Sequence, residues 1–234
     1  MINTLLRIAE EQGADLADWA ALDRGELALY SLLNQEEALR YHSALVVSKN
    51  HHPDALNNLT GTPTEAYDRD YRRLNCELYN MVHYLEGFLR ARGIACLAVS
   101  PSETSDTVHQ RGLISHRSLA ERAGLGVRGR NNLLVTFPYR SRLRLATLLT
   151  ELQIPHTPKR IWPYPCGECD QCLDVCPAGA LGRLPEDFRI DLCMEHLERV
   201  KVEGLSPQIC GACLAVCPDF EQNTVDKFAR EGLI

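Results

Sequence analysis

Apolar positions along this chain recur in two rhythms, and each rhythm predicts an element. Leu5, Leu6, Ile8 and Ala9 keep the three-and-four spacing of one helix face and Gly13 closes the run, so a short helix is expected over residues 3–12. Residues 14–22 alternate too poorly to assign. Residues 36–40 read as helical, and residues 43–48 are a continuous apolar, β-prone run of buried-strand length. His51 and His52 follow it. Paired histidines can ligate a metal, but beside Pro53 and Asp54 they read as loop residues, and the loop continues over residues 55–64. The strongest periodicity comes next: Tyr71, Leu74, Leu78, Met81, Val82, Leu85, Phe88 and Leu89 predict a helix of about 25 residues, with Arg90 and Arg92 in its last turn and Gly93 ending it. Residues 94–99 form a strand, 100–112 a polar loop, and 115–124 a helix opening on Ser115 and closing on Gly124. A glycine-punctuated loop over residues 125–132 leads to two expected strands, 133–137 and 143–149, joined around Pro138 and Ser141. Helices and strands mixed in this way make an α+β unit.

The rhythm stops after residue 150. Pro155, Pro158, Pro163 and Pro165 mark a linker, which divides the chain into a domain at 1–160 and a smaller one at 161–234. Apolar content of 45% is ample for a core in the first part. The second part is organised by sulfur instead, and Phe228 and Leu233 are expected to pack it back onto the first. Cys166-Gly-Glu-Cys169-Asp-Gln-Cys172-Leu-Asp-Val-Cys176-Pro177 is C-x2-C-x2-C-x3-C-P, the bacterial ferredoxin spacing for a [4Fe–4S] cluster, in which the fourth Cys serves a second cluster. Cys210-Gly-Ala-Cys213-Leu-Ala-Val-Cys217-Pro218 repeats the end of that motif. A complete repeat would need a Cys at position 207, which is Pro207, and Cys193 is the nearest spare thiol upstream. The expected ligand sets are therefore Cys166, Cys169, Cys172 and Cys217 for one cluster, and Cys176, Cys193, Cys210 and Cys213 for the other. Structural zinc favours two separated C-x2-C pairs, and disulfide frameworks suit small secreted domains. Both are alternatives here, and both fit the spacing less well. Cys76 and Cys96 lie in apolar surroundings and read as small buried hydrophobes.

Charge changes the picture once. The chain carries a net −6, yet residues 111–160 hold 10 basic and 2 acidic side chains. A basic block in an acidic chain suits a local anionic partner, a cofactor phosphate or an RNA backbone; pairing with the acidic flanks is the alternative. Gly124, Gly126 and Gly129, three glycines in six residues, would let backbone amides approach such a ligand. The loop matches neither a P-loop nor the dinucleotide fingerprint. No stretch approaches the length of a membrane span and the N-terminus does not read as a signal peptide, so a cytoplasmic, reducing setting is expected for the thiols.

Ala120-Glu-Arg-Ala-Gly-Leu-Gly126-Val-Arg-Gly129-Arg-Asn-Asn-Leu-Leu134, a Ser141 loop, Thr150-Glu151 and the double cysteine motif with remote Cys193 resemble the epoxyqueuosine reductase family, whose relatives are corrinoid reductive dehalogenases. The resemblance runs from about residue 43 to 217 and is specific from Ala120 onward. It implies a nitroreductase-like α+β domain holding cobalamin in place of flavin, followed by a ferredoxin-like module with two [4Fe–4S] clusters. It also implies a low-potential electron donor, a ferredoxin or flavodoxin, and a substrate that is a tRNA or a small molecule. Cofactor contacts would fall on Gly124, Gly126, Arg128, Gly129, Arg130, Asn131 and Ser141. The family's catalytic aspartate lands on Gln110, which cannot deliver a proton; Asp106 and His116 are the titratable candidates nearby. Two other functions stay open: corrinoid reduction on behalf of another protein, and pure electron transfer.

Overall fold

The computed structural model describes residues 1–23, 25–156, 162–219 and 230. Pro158, Phe228 and Leu233, to which the sequence assigned a linker role and packing roles, lie outside the described residues. The chain folds into two compact units, each assembled from discontinuous stretches: residues 1–50, 73–125 and 144–159 form one, and residues 51–72, 126–143 and 160–234 the other.

The first unit is a four-stranded sheet with helices on both faces. Its elements are α1 (Ile2–Glu11), β1 (Leu16–Ala21), α2 (Gln35–Ala38), β2 (Ser43–Asn50), most of α3 (Glu65–Arg90), β3 (Cys96–Val99), α4 (His116–Arg122) and β6 (Leu143–Thr150). A 3-10 turn, Glu26–Leu29, precedes α2, whose N-terminus is closed by an Asn34–Glu37 capping box. Strand order is β1-β2-β6-β3, with β1 antiparallel to β2 and β3 antiparallel to β6. Leu45 and Val47 of β2 and Ala146 and Leu148 of β6 point to one face. There they bury against Leu5, Ile8 and Ala9 of α1 and Leu78, Met81, Val82, Leu85 and Leu89 of α3. The pleat sends Thr147 to the other face, where it hydrogen-bonds His116 at the start of α4, so α4 covers that face. Residues 14–22, unassigned from sequence, contain β1. It is an edge strand whose outer half is only partly buried, so no alternation marks it.

In the second unit, residues 126–135 fold back as a hairpin of β4 (Val127–Arg128) and β5 (Leu134–Val135). The sequence suggested a longer strand over 133–137. The shortening has a local cause: Gly129 N–H donates to Leu133 O, and Asn132, at φ +55°, donates back to Gly129 O. Asn tolerates that left-handed conformation better than most residues. A Cβ on Gly126 would lie 2.3 Å from the Val135 carbonyl oxygen. Glycine is therefore needed there for strand packing, whatever it offers a ligand. A second 3-10 turn (Pro53–Leu56), the first eight residues of α3, and the short helices α5 (Gln171–Asp174), α6 (Ile190–Arg199) and α7 (Ala212–Ala215) complete the unit, with a third 3-10 turn at Pro185–Asp187. Its apolar core is small: Leu56, Leu59, Tyr67, Ile209 and Leu214.

Candidate functional site

The two cysteine motifs end alike. Each forms a one-turn helix carrying a cysteine, Cys172 on α5 and Cys213 on α7, and each runs into a Cys-Pro pair; α5 and α7 pack together. All ten cysteines are free thiols. Burial, and then the charges of Cys166, Cys217 and Cys169, push Cys172 up to about 12. Burial, then Cys176 and Cys210, push Cys193 up to about 11. Burial raises Cys210 as well, with Cys176 adding to it. Cys213 is raised by burial and then by Cys210, Cys172, Cys176 and Cys193. The thiols thus gather as 166, 169, 172 and 217 on one side and 176, 193, 210 and 213 on the other, with Cys213 also feeling Cys172. Buried thiols at this density resist ionising together unless a cationic centre compensates them. Among the described residues, no three His, Cys, Asp or Glu side chains are gathered as a single metal ion requires. Cys96 is buried in the sheet core, as its surroundings suggested, whereas Cys76 is exposed on α3, with its sulfur facing Asn80 Nδ2 at 3.7 Å. Reading Cys76 as a buried hydrophobe was wrong, because it falls on the outward stripe of the helix.

Each sulfur set is braced by a stretch from the N-terminal part of the chain. The glycine loop braces the first. Arg130 N–H points to Cys166 Sγ at 3.4 Å, and a Cβ on Gly129 would lie 3.3 Å from the same sulfur. The Arg130 side chain is 5% exposed and its guanidinium is spent on the cysteine loop. It donates to the carbonyls of Arg183 (3.0 Å), Gly167 (2.7 Å) and Cys169, and pairs with Asp170 at 2.5 Å. Asn131 Nδ2 donates to Cys213 O at 3.2 Å.

Residues 51–72 brace the second set. Gly61, at φ +117°, lies against Pro177: a Cβ there would come within 2.8 Å of the ring. Its carbonyl accepts from His196 Nε2 at 2.8 Å, one turn beyond Cys193. Leu59 and Tyr67 cover Gly211, between Cys210 and Cys213. Asp68 accepts from Ser206 N at 2.7 Å, and Arg72 donates to Gly204 O at 2.9 Å. His51, read as a loop residue, is fully buried, with Nδ1 2.7 Å from Asp70 Oδ2; His52 is exposed and caps the 3-10 turn through Asp54 N. Nothing in the local sequence flags these partners, because all depend on contacts distant along the chain.

The remaining candidates fall elsewhere. Gly124, at φ +77°, ends α4. Arg128 lies on β4. The Ser141 hydroxyl is buried and has no hydrogen-bond partner among the described residues, and the same holds for Thr136. His116 is held between Thr147 Oγ1 (2.8 Å to Nδ1) and the Ser100 carbonyl (3.2 Å to Nε2). The carbonyl can only accept, so Nε2 carries the proton and Nδ1 receives the Thr147 hydroxyl. Burial depresses His116 to about 4, against a smaller opposing effect of the Ser100 carbonyl. Asp106 sits in a turn closed by its own bridge to Arg111. Its carboxylate accepts from the amides of Val108 and His109 and lies 2.7 Å from His109 Nδ1, and these bonds hold its pKa below the usual range.

No family model matches the chain. Epoxyqueuosine reductase of Bacillus subtilis is 30% identical over 164 residues, covering 65% of this chain and 39% of that protein. Over that stretch the chain is similar to epoxyqueuosine reductase. It spans about two fifths of that relative's length. The fold agrees: a solved epoxyqueuosine reductase bound to an epoxyqueuosine-modified tRNA stem loop superposes with a TM-score of 0.60 over 94% of this chain and 66% of its own, at 23% identity. A B12-dependent reductive dehalogenase superposes with a TM-score of 0.69 over 95% of this chain and 32% of its own, at 17% identity. The region around Gln110 offers little acid–base chemistry. Gln110 sits at φ +53° with its amide tied to Thr107 O at 2.7 Å, and the two titratable neighbours are a neutral, enclosed histidine and a stabilised carboxylate. Neither His116 nor Asp106 is poised to give up a proton near neutral pH.

Proposed function

We propose that this chain is an iron–sulfur oxidoreductase in which two [4Fe–4S] clusters pass single electrons to a cobalamin that reduces a substrate. The division of eight thiols, Cys172 buried and the other seven half-buried, into two groups of four carries this reading. Cys166, Cys169, Cys172 and Cys217 would hold one cluster; Cys176, Cys193, Cys210 and Cys213 the other. The donor set suits iron–sulfur chemistry: thiolates alone, with backbone amides aimed at sulfur from Arg130 (3.4 Å to Cys166) and Ala180 (3.4 Å to Cys176). Residues 161–234 supply the ligands as a ferredoxin-like module, and residues 51–72 and 126–143 hold it in shape. Electrons would come from a low-potential ferredoxin or flavodoxin.

Cobalamin rests on the family likeness and, in this chain, on Ser141, whose buried hydroxyl awaits a partner. Gly126, Gly129, Arg130 and Asn131 are occupied in packing and in bracing the cysteine loops, and Ser141 is the contact to test. When bound, a corrinoid supplies a strongly reducing metal for removing an epoxide oxygen or a similar group. The substrate is a modified tRNA nucleoside or a small molecule of like reactivity, met in the cytoplasm; no helix among the described residues is long and apolar enough to cross a membrane. A second reading, corrinoid reduction for another protein, is favoured by one observation: neither Gln110, His116 nor Asp106 is suited to donate a proton. Anaerobic purification with iron, sulfide and cobalt quantified on one sample tests the assignment. About eight irons per chain and retained cobalt are expected; about four irons, or zinc in their place, overturns it. Turnover of an epoxyqueuosine stem loop separates the enzyme from the corrinoid handler.

A further inference from the structure

We infer that Arg130 raises the reduction potential of the cluster held by Cys166, Cys169, Cys172 and Cys217 above that of its partner, so that electrons pass from the second cluster to the first. The potential of a thiolate-bound cluster follows the local charge, the hydrogen bonds to its sulfurs and its exposure to water. On the first count the two sets differ. Cys166 receives the Arg130 amide, and the Arg130 guanidinium is buried over the same loop. Asp170, its counter-ion, is shared with Arg183 at 3.0 Å, so two guanidinium groups face one carboxylate. Glu168 and Asp174 on the same segment are exposed, where water screens them. Around the second set, Cys176 receives the Ala180 amide, His196 gives its Nε2 proton to a carbonyl, and Arg189 is neutralised by Asp191 at 2.6 Å. Reduction adds one electron, and so one negative charge, to a cluster. The Arg130 guanidinium is buried and less screened by water than the exposed Arg189, so it favours that state more at the first set than at the second. A one-electron donor would therefore leave its electron on the first cluster at rest, with the second as the relay.

This rests on the two-cluster reading, and the experiment keeps the two apart. The full chain, reconstituted anaerobically, is titrated potentiometrically with titanium(III) citrate and followed by electron paramagnetic resonance. Wild type is expected to show two one-electron midpoints. In Arg130→Gln the higher midpoint falls by about 59 mV, a tenfold loss in the reduction equilibrium, and the lower one stays. Arg130→Lys keeps the charge and recovers most of the difference. Cys193→Ser, which disturbs the second set, leaves the higher-potential signal in place. Asp170→Asn removes the counter-ion of Arg130 and raises the same midpoint, which covers the case in which Arg130→Gln fails to hold iron. About eight irons with the higher midpoint unmoved in Arg130→Gln or Asp170→Asn overturns the inference, as does loss of the higher signal in Cys193→Ser. Fewer irons in wild type would instead remove the cluster assignment itself.

Discussion

Gly61 is held by two constraints at once. Its φ of +117° lies in a region that side chains avoid, and the Pro177 ring occupies the place of a Cβ. Gly61→Ala should therefore cost about 1–3 kcal/mol, since neither the backbone nor a proline ring can give way cheaply. Anaerobic urea unfolding reads this; an unchanged midpoint would mean that the loop relaxes freely. His116 gives a signed dependence on pH. Its folded value of about 4 lies below the ordinary value of 6.5, so between the two the unfolded chain binds the extra proton. The neutral form's contribution is complete above about pH 6.5 and is lost as pH falls toward 4, by at most about 3 kcal/mol. In His116→Gln that acid limb should flatten when urea midpoints at pH 7 and pH 5 are compared. An equally steep limb in the variant would show that another group titrates there.

At the level of elements, sequence and structure part company where contacts are remote. The α3 stripe was legible because a long amphipathic helix writes its own period, and β2 because a buried strand is uniformly apolar. The cysteine helices were legible because ligand spacing is local. Strand β1 was not, since Trp19 and its neighbours owe their burial to α1 and β2. The brace at 51–72 was hidden for a similar reason: a stretch with Asn57, Asn58 and Gly61 looks like any loop until Gly211, Ser206 and His196 are placed against it. The glycine loop was legible as a motif but not in its contacts: within the second unit Gly126, Gly129, Arg130 and Asn131 meet Val135 and the cysteine loops. Leu59→Ala removes apolar bulk packed on Gly211 and should cost about 2–5 kcal/mol at that end of the unit. The protein should then purify with about four irons, the loss falling on the set with Cys210 and Cys213. Equal loss from both sets, or full retention, would separate this brace from the second cluster.

The two units differ in what holds them. The first has a continuous core in which Leu45, Val47, Leu78, Leu85 and Leu148 are fully buried between helix and sheet. In the second, the apolar cluster of Leu56, Leu59, Tyr67, Ile209 and Leu214 among the described residues is small, and eight thiols are spread over its loops and short helices. Thiols raised as far as Cys172 and Cys193 stay protonated without iron, so the folded arrangement then loses the ligand bonds that would hold its loops together. Metal-dependent order should accordingly stop at the boundary between the units. After anaerobic chelation, hydrogen exchange should become fast over residues 51–72, 126–143 and 162–219, while α1, β2, β6 and the second half of α3 keep their protection. Far-ultraviolet circular dichroism should fall only in part, because the sheet and its covering helices persist. If the sheet amides lost protection together with the cysteine loops, the two units would be one cooperative body and the apolar core would not suffice to fold the first. If neither lost protection, the sulfur sets would be preformed by packing alone, and iron would bind an arrangement it does not build.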